Sequence, residues 1–312
     1  MAKIRRIRFD DREWHAAFFR FVLDNFRGAD FSVWAQRGGW DADYEVFAAL
    51  EDDEIVATIG RTRMRVVVGG VESIAWQLGA VATRGDRRGR GLARRLMQQV
   101  FDDLDFPDQL IFLFANKSVL DFYPRFGFQG VIQQRYSARV ELEPAQVRAH
   151  RLDIADAEDR ARLAAICARS AALSHEFSAR DYYPTLLWHL CHSPLPAFWV
   201  EAYDSIVVAR FENNSGEGSC LVVYDVVARA PFDLRDVLPS LISEPVGVVE
   251  VRTVEFRFNP ASFWQAESLH EEREQRADVR IIRQPDLGAP LFVRGASNLP
   301  ANEVHFPDLA RT

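Results

Sequence analysis

"VATRGDRRGRGLARRLM", residues 81–97, is the stretch on which the reading of this chain turns. Six arginines and three glycines crowd positions 83–96, just ahead of Leu92, Leu96, Met97, Val100, Phe101 and Leu104, which share one face of a helix. The start of a helix leaves four backbone N–H groups unpaired and carries about half a positive charge, so it draws an anion, and glycines let the anion come close. Arg88, Arg90 and either Arg84 or Arg87 can add guanidinium forks shaped for phosphate oxygens. A Gly-Arg turn can equally be a solvated loop, so its surroundings decide. No Gly-Lys-Ser/Thr follows, which argues against a nucleotide triphosphatase, and the loop closes a run of strands instead of opening a βαβ unit, which argues against a dinucleotide fold.

Upstream lies a meander. "YEVFAALED", "EIVATIGRTRMRVVV" and "VESIAWQLGAVAT" read as three strands turned at "DDE" and at Gly69-Gly70. Before them come a short strand at 3–9, an amphipathic helix in "DDREWHAAFFRFVLDNF", and an aromatic-rich connector, "RGADFSVWAQRGGWDADYE". Downstream, "QLIFLFA" is a continuous apolar run, as in a strand covered on both faces. A short helix from about Lys117 to Tyr123 ends at Gly127, and "FQGVIQQRYSARVEL" supplies the last strand or pair.

The chain of 312 residues is long enough for two domains, and its second half reads as the same order of elements with different residues. It has no counterpart of the glycine loop, only "VARAPFDLRDV". The net charge of −7 makes the arginine cluster a local exception, favouring a small anionic ligand over nucleic acid. Cys167, Cys191 and Cys220 are few and far apart, as expected of buried thiols in a reducing compartment. There is no signal-like apolar core at the N-terminus and no run of roughly 18 apolar residues. The expectation is a cytoplasmic protein with no membrane partner.

"VATRGDRRGRGLARRLM" resembles the acetyl-CoA signature of the GCN5-related N-acetyltransferase (GNAT) superfamily, Q/R-x-x-G-x-G/A, with Arg88, Gly91 and Ala93 at its defining positions. A second segment of the same resemblance, "FANKSVLDFYPRFGF", follows at the expected distance, with Asn116, Phe122-Tyr123 and Gly127-Phe128. The likeness is good over residues 3–140 and only topological beyond. It implies an α/β (α+β) fold of tandem GNAT-like domains, each a mixed, mostly antiparallel sheet flanked by helices, with a catalytic domain at 1–145. A degenerate domain with a docking tail would fill 146–312. The pairing is similar to that in the enhanced-intracellular-survival aminoglycoside acetyltransferases and mycothiol synthase, although the length leaves no room for the former's sterol-carrier-like domain.

The resemblance assigns roles. The backbone of Val81, Ala82 and Thr83 would pair with the pantetheine arm of acetyl-CoA, and the amides of Arg88, Gly89, Arg90, Gly91, Leu92 and Ala93 would grip its pyrophosphate. Asn116 would hydrogen-bond the arm and Tyr123 would serve the departing thiolate. The aromatic connector, with Phe31, Trp34 and Trp40, and Trp76 on the adjoining strand are candidates for the acceptor pocket, and equally for core. An amine of ordinary pKa is almost wholly charged at pH 7, so a base is expected. Asp24, Asp41, Asp43, Glu45 and the terminal carboxylate of Thr312 are the candidates, while Glu72 lies toward the far end of its strand.

His189 and His192 flank Cys191, but two histidines do not close a metal site, and helix packing accounts for them, so no metal is expected. The expected activity is acetyl transfer to the primary amine of a small molecule. Peptide or protein N-acetylation and a non-catalytic acyl-CoA sensor or scaffold are the alternatives, and a homo-oligomer is open.

Overall fold

The computed structural model describes residues 2–26, 28–142, 145, 148–214, 218–242, 251–264, 281–295, 299 and 304–312. The first half runs β1 (Lys3–Ile7), α1 (Arg12–Asn25), α2 (Phe31–Gln36), β2 (Tyr44–Glu51), β3 (Glu54–Val68), β4 (Val71–Thr83), α3 (Leu92–Asp102), β5 (Leu110–Phe114) and β6 (Gln129–Leu142). The second runs β7 (His150–Arg151), α4 (Ala157–Cys167), β8 (Phe177–Arg180), α5 (Tyr183–His192), β9 (Ala197–Val200), β10 (Ser205–Asn214), β11 (Gly218–Ala228), α6 (Leu238–Leu241), β12 (Val251–Phe256) and β13 (Ile281–Arg294).

The fold is α+β with a mixed, mostly antiparallel sheet, and all the strands join one sheet. The order is β1-β2-β3-β4-β5-β13-β6-β12-β11-β10-β9-β7, with β8 added to the far end of β3. Among the described residues only β4–β5 and β11–β12 run parallel, one pair in each half. At the seam the halves trade strands. β13, from the end of the chain, lies between β5 and β6, while β6 lies against β12 of the second half. The expected junction at 145/146 falls where 145 is described and 146 is not.

Periodicity explains the local elements. On α1, Phe18, Phe21 and Val22 recur at i, i+3, i+4 and are buried, and on α3 Leu92, Leu96, Met97 and Val100 form the buried stripe. The connector holds a helix, α2, which the sequence analysis did not anticipate: Asp30 caps it by accepting the Ser32 N–H at 2.9 Å. The helix expected from Lys117 is two short 3₁₀ turns, Lys117–Val119 and Tyr123–Phe126. The Pro124 ring, which cannot donate an N–H, starts the second, and Gly127 at φ 82° ends it. The stretch "PASFWQAESLHEE", residues 260–272, reads as a helix, and from 265 onward it lies outside the described residues, as does the polar run "HEEREQRAD" at 270–278.

α3 covers one face of the first half's sheet, packing on Ile59, Leu78, Ile111 and Leu113. On the other face, Met64, Ala75 and Phe112 meet α4, α5 and the terminal segment, with Phe177 and Phe306 wedged against Phe112 at ring distances of 5.1 and 4.8 Å. Residues 304–310 are almost wholly buried there, so the last turn of chain is an interior element. Among the described residues no helix is long and apolar enough to cross a membrane.

Candidate active site

The parallel pairing of β4 with β5 stops at Leu78–Leu113. Beyond it β4 continues to Thr83, bonded to β3 on one side only. The cause is a bulge: the β3–β4 register slips between Thr58 and Gly60, Ala80 takes a left-handed φ of 47°, and the buried Thr58 hydroxyl donates to the Ala80 carbonyl at 2.7 Å. β5 meanwhile turns to β13, where the Ala115 amide donates to the Pro290 carbonyl at 2.9 Å. The two parallel strands thus part, and the outer edge of Val81, Ala82 and Thr83 faces the opening without a strand partner among the described residues.

The glycine loop follows at once. Gly91 caps α3 at φ 76° with no side-chain hydrogen bond to the first-turn amides. A Cβ built on Gly85, Gly89 or Gly91 would meet nothing within 4 Å, so the loop's inner surface is open to an approaching group. Arg88, Gly89 and Arg90 are exposed. Arg84 and Arg87, considered above as anion ligands, are already committed. Arg84 pairs with Asp86 at 2.7 Å and Glu54 at 2.9 Å, and Arg87 with Asp86 at 2.5 Å and Glu51 at 2.7 Å. Loop carboxylates lie within reach of both, and the sequence reading did not weigh them.

At the end of β5, Asn116 caps its 3₁₀ turn, its side-chain oxygen accepting from the Ser118 N–H at 3.0 Å. Tyr123 packs among Phe122, Phe128 and Phe292 at ring distances of 5.3–6.0 Å, and Phe292 belongs to β13. It is 5% exposed, its hydroxyl has no hydrogen-bond partner among the described residues, and burial pushes that hydroxyl up to about 12.

Across the sheet from α3 lies a cavity of about 450 Å³ whose wall includes Gly79 and Ala80 of the bulge. Phe31 and Trp34 of the expected aromatic set line it, joined by Tyr44 on β2 and by Tyr182, Tyr183 and Trp188 from the second half. Trp40 stands behind this wall, donating to the Tyr44 carbonyl at 2.9 Å and stacked on His15 at 4.2 Å. Trp76 is not brought to the cavity. Strand alternation turns it to the α3 face, where the Arg61 guanidinium lies 4.1 Å from its ring, and turns its neighbour Gln77 to the cavity face instead.

The candidate bases separate clearly. Asp24 is exposed on α1 and absent from the cavity wall. Glu45 is buried beneath the sheet and held by Arg61 and by Arg6 at 2.5 Å, and Glu72 is exposed and paired with Arg180. Asp41, Asp43 and Thr312 line the cavity. Burial raises the Asp41 carboxyl above the usual carboxylate range, with the Asp43 charge adding to it. Asp43 sits 3.7 Å from Arg63.

Thr312 reaches the cavity because the terminal segment is pinned along its length. The Arg311 carbonyl accepts from His189 at 2.8 Å, the Arg311 guanidinium pairs with Asp308 at 2.5 Å, and the Thr312 hydroxyl and amide both donate to the Gln77 side-chain oxygen. A Cβ on Gly79 would fall 3.0 Å from the Thr312 main chain, so only glycine permits this approach. His192 spans the Trp188 and Asp30 carbonyls at 2.7 and 2.6 Å, which joins α5 to α2. Among the described residues there is no cluster of three metal-ligating side chains, and all three cysteines are free thiols.

Sequence reasoning missed the second half's share of the wall, Tyr182, Tyr183 and Trp188. Their aromatic spacing reads as an ordinary buried helix, and no local signal says which partner the helix meets.

Residues 3–131 match the model of the acetyltransferase (GNAT) domain. No curated protein matches the sequence. Among solved structures, a probable N-acyltransferase from Enterococcus faecalis is similar at a TM-score of 0.58 and 13% identity, over 94% of this chain and 72% of that one. Eis1 from Mycobacterium abscessus is similar at 0.55 and 18%, over 94% and 73%. A GCN5-related N-acetyltransferase from Kribbella flavida is similar at 0.51 and 18%, over 94% and 71%. At such identities the likeness is one of fold, here the tandem-GNAT fold across both halves.

Proposed function

We propose that this chain, whose residues 3–131 match the GNAT acetyltransferase domain within a tandem fold, is an acyltransferase that moves an acetyl group from acetyl-CoA to the primary amine of a small molecule. The observation that carries the reading is the free edge of Val81–Thr83, which begins at the cavity floor and ends at an open glycine loop. An extended amide-bearing arm fits the edge as an added strand, and its diphosphate fits the amides from Arg88 through Gly89, Arg90, Gly91 and Leu92 to Ala93 at the start of α3. Asn116, at the end of β5, has its side-chain oxygen taken by Ser118, and its side-chain N–H is the group that would hydrogen-bond the arm.

Acetyl-CoA supplies an acetyl group activated as a thioester; the residues position, deprotonate and release. Asp41, raised by burial, takes the proton that the amine gives up as its nitrogen bonds to the acetyl carbon. The main-chain carboxylate of Thr312 is a second acceptor wherever the polypeptide stops at that residue. Tyr123 donates a hydrogen bond to the sulfur as the carbon–sulfur bond breaks. Handing over its proton outright, from a hydroxyl near 12 to a thiolate of about 8.5, is uphill by about 5 kcal/mol, so donation without full transfer is its role.

The test is calorimetry with coenzyme A joined to a thiol-release assay over a panel of amines. Binding together with amine-dependent release supports transfer. Tight binding with no turnover of any amine leaves an acyl-CoA sensor, and absence of binding removes both readings.

A further inference from the structure

We infer that the acceptor is a compact primary monoamine with an apolar, ring-bearing body, of the arylalkylamine class, and that the hydroxyls of Tyr44 and Thr62 receive its polar end. The inference rests on the acyl-transfer reading above and adds the substrate class to it.

Three observations carry it. First, the cavity wall is a box of rings. Phe31 lies 4.2 Å from Trp188 and 5.4 Å from Trp34, and Trp34 lies 5.6 Å from Tyr44, mostly edge to face. Such a wall takes a flat apolar body and one desolvated cation, and offers little to a molecule studded with hydroxyls and amines.

Second, the wall holds little free negative charge. Asp43 has Arg63 beside it and Asp181 is exposed, which leaves Asp41, half-buried and without a cation partner among the described residues, as the inner side-chain carboxylate, joined on the wall by the Thr312 main-chain carboxylate only where the polypeptide stops there. One such carboxylate suits one ammonium. A polycation would bring several charges to a wall whose acids are few and which also carries Arg63 and Arg180, at a desolvation cost of several kcal/mol for each charge left uncompensated.

Third, two hydroxyls in that wall have no partner among the described residues. Tyr44 is 5% and Thr62 7% exposed, they are cross-strand neighbours on β2 and β3, and neither oxygen makes a hydrogen bond to any described residue. Tyr44 is held over a glycine, since a Cβ on Gly60 would lie 2.6 Å from its oxygen and 3.2 Å from the Gly79 carbonyl. The phenol is therefore fixed at the cavity floor, beside the bulge where the free edge begins. Leaving a buried hydroxyl unpartnered costs about 1–3 kcal/mol, which a ligand bearing N–H donors relieves. A neutral primary amine brings two such donors and keeps its lone pair for the acetyl carbon.

Conservative substitution separates function from folding here. Tyr44→Phe and Thr62→Val remove hydroxyls that have no hydrogen-bond partner among the described residues, so the melting temperature is expected to hold or rise. With acetyl-CoA and thiol release as the assay, 2-phenylethylamine should exceed spermidine and kanamycin at least tenfold in kcat/KM. Tyr44→Phe should lower the 2-phenylethylamine value about tenfold and Thr62→Val severalfold. Equal or better use of either polycation, or unchanged kcat/KM in Tyr44→Phe, overturns the inference and leaves acyl transfer standing. Calorimetry of 2-phenylethylamine with the coenzyme-free protein supplies the second readout. Heat that Tyr44→Phe abolishes upholds the substrate class even if no amine is acetylated, whereas acetylation of other amines with no heat and no product from 2-phenylethylamine overturns it.

Discussion

Asp225→Asn should make the protein more stable as pH rises, by an amount the structure sets. Asp225 lies on β11, fully buried. One carboxyl oxygen accepts the Tyr182 hydroxyl at 2.6 Å and the Val226 amide at 2.8 Å, while the other has no partner among the described residues. Burial pushes this carboxyl from an ordinary 3.8 up to about 7. Below pH 4 the folded and unfolded chains both hold the proton and the group contributes no pH dependence. Between pH 4 and 7 the unfolded chain releases it and the folded chain keeps it, so stability falls by about 1.4 kcal/mol per pH unit. Above pH 7 the loss is complete, at about 4 kcal/mol. Asparagine cannot ionise and matches the protonated acid in shape. Its unpaired amide costs about 1–3 kcal/mol at every pH, so the slope is the quantity to measure. Urea melts of both proteins should show the variant gaining about 3 kcal/mol on the parent between pH 5 and pH 8. A stability difference that stays constant over that range would refute the reasoning, because it would mean that Asp225 is ionised throughout.

Three further outcomes are expected. Tyr123→Phe should lower kcat by about 100-fold with coenzyme A affinity unchanged by calorimetry, and the parent should show no alkaline loss of kcat from this group up to pH 9, since its hydroxyl stays protonated until about 12. Gly79→Val should displace Thr312 from its seat, costing about 1–3 kcal/mol in thermal unfolding and most of the kcat/KM for any amine, with coenzyme binding retained. Arg61→Ala should destabilise the fold by about 3–5 kcal/mol in urea melts, because it strips the buried Glu45 of one guanidinium and bares the Phe47 and Trp76 rings that Arg61 covers.

Much of the first half is legible in the amino-acid order because its elements are locally marked. Alternation gives β2 to β4, the stripe at 92, 96, 97 and 100 gives α3, and the glycine-arginine loop stands where strand passes to helix. The elements that escape are those with contrary local signals. β13 contains Pro285, Gly288 and Pro290, which read as a loop, and the strand accommodates them only by a register slip between Asp286 and Leu291 opposite β6. α2 hides among aromatic residues, although Asp30 two places before Ser32 is a cap signal that could have been used. The cavity is half legible: Phe31 and Trp34 are near neighbours in sequence, while Trp188 and Thr312 arrive through contacts more than a hundred residues apart. Ion pairing removed Glu45, Arg84 and Arg87 from the candidates, and such pairing depends on three-dimensional neighbours that spacing alone does not reveal.

The exchanged strands bear on how the protein is made. During synthesis β5 emerges with the glycine loop and Tyr123, yet its neighbour in the sheet is β13, nearly two hundred residues later. A nascent chain halted anywhere before residue 281 carries the glycine loop on a sheet in which β5 lacks its β13 neighbour and Tyr123 lacks Phe292 behind it. On the proposed function, competence to bind the coenzyme therefore waits for β13, and a fragment released earlier presents an open strand edge that invites aggregation or proteolysis.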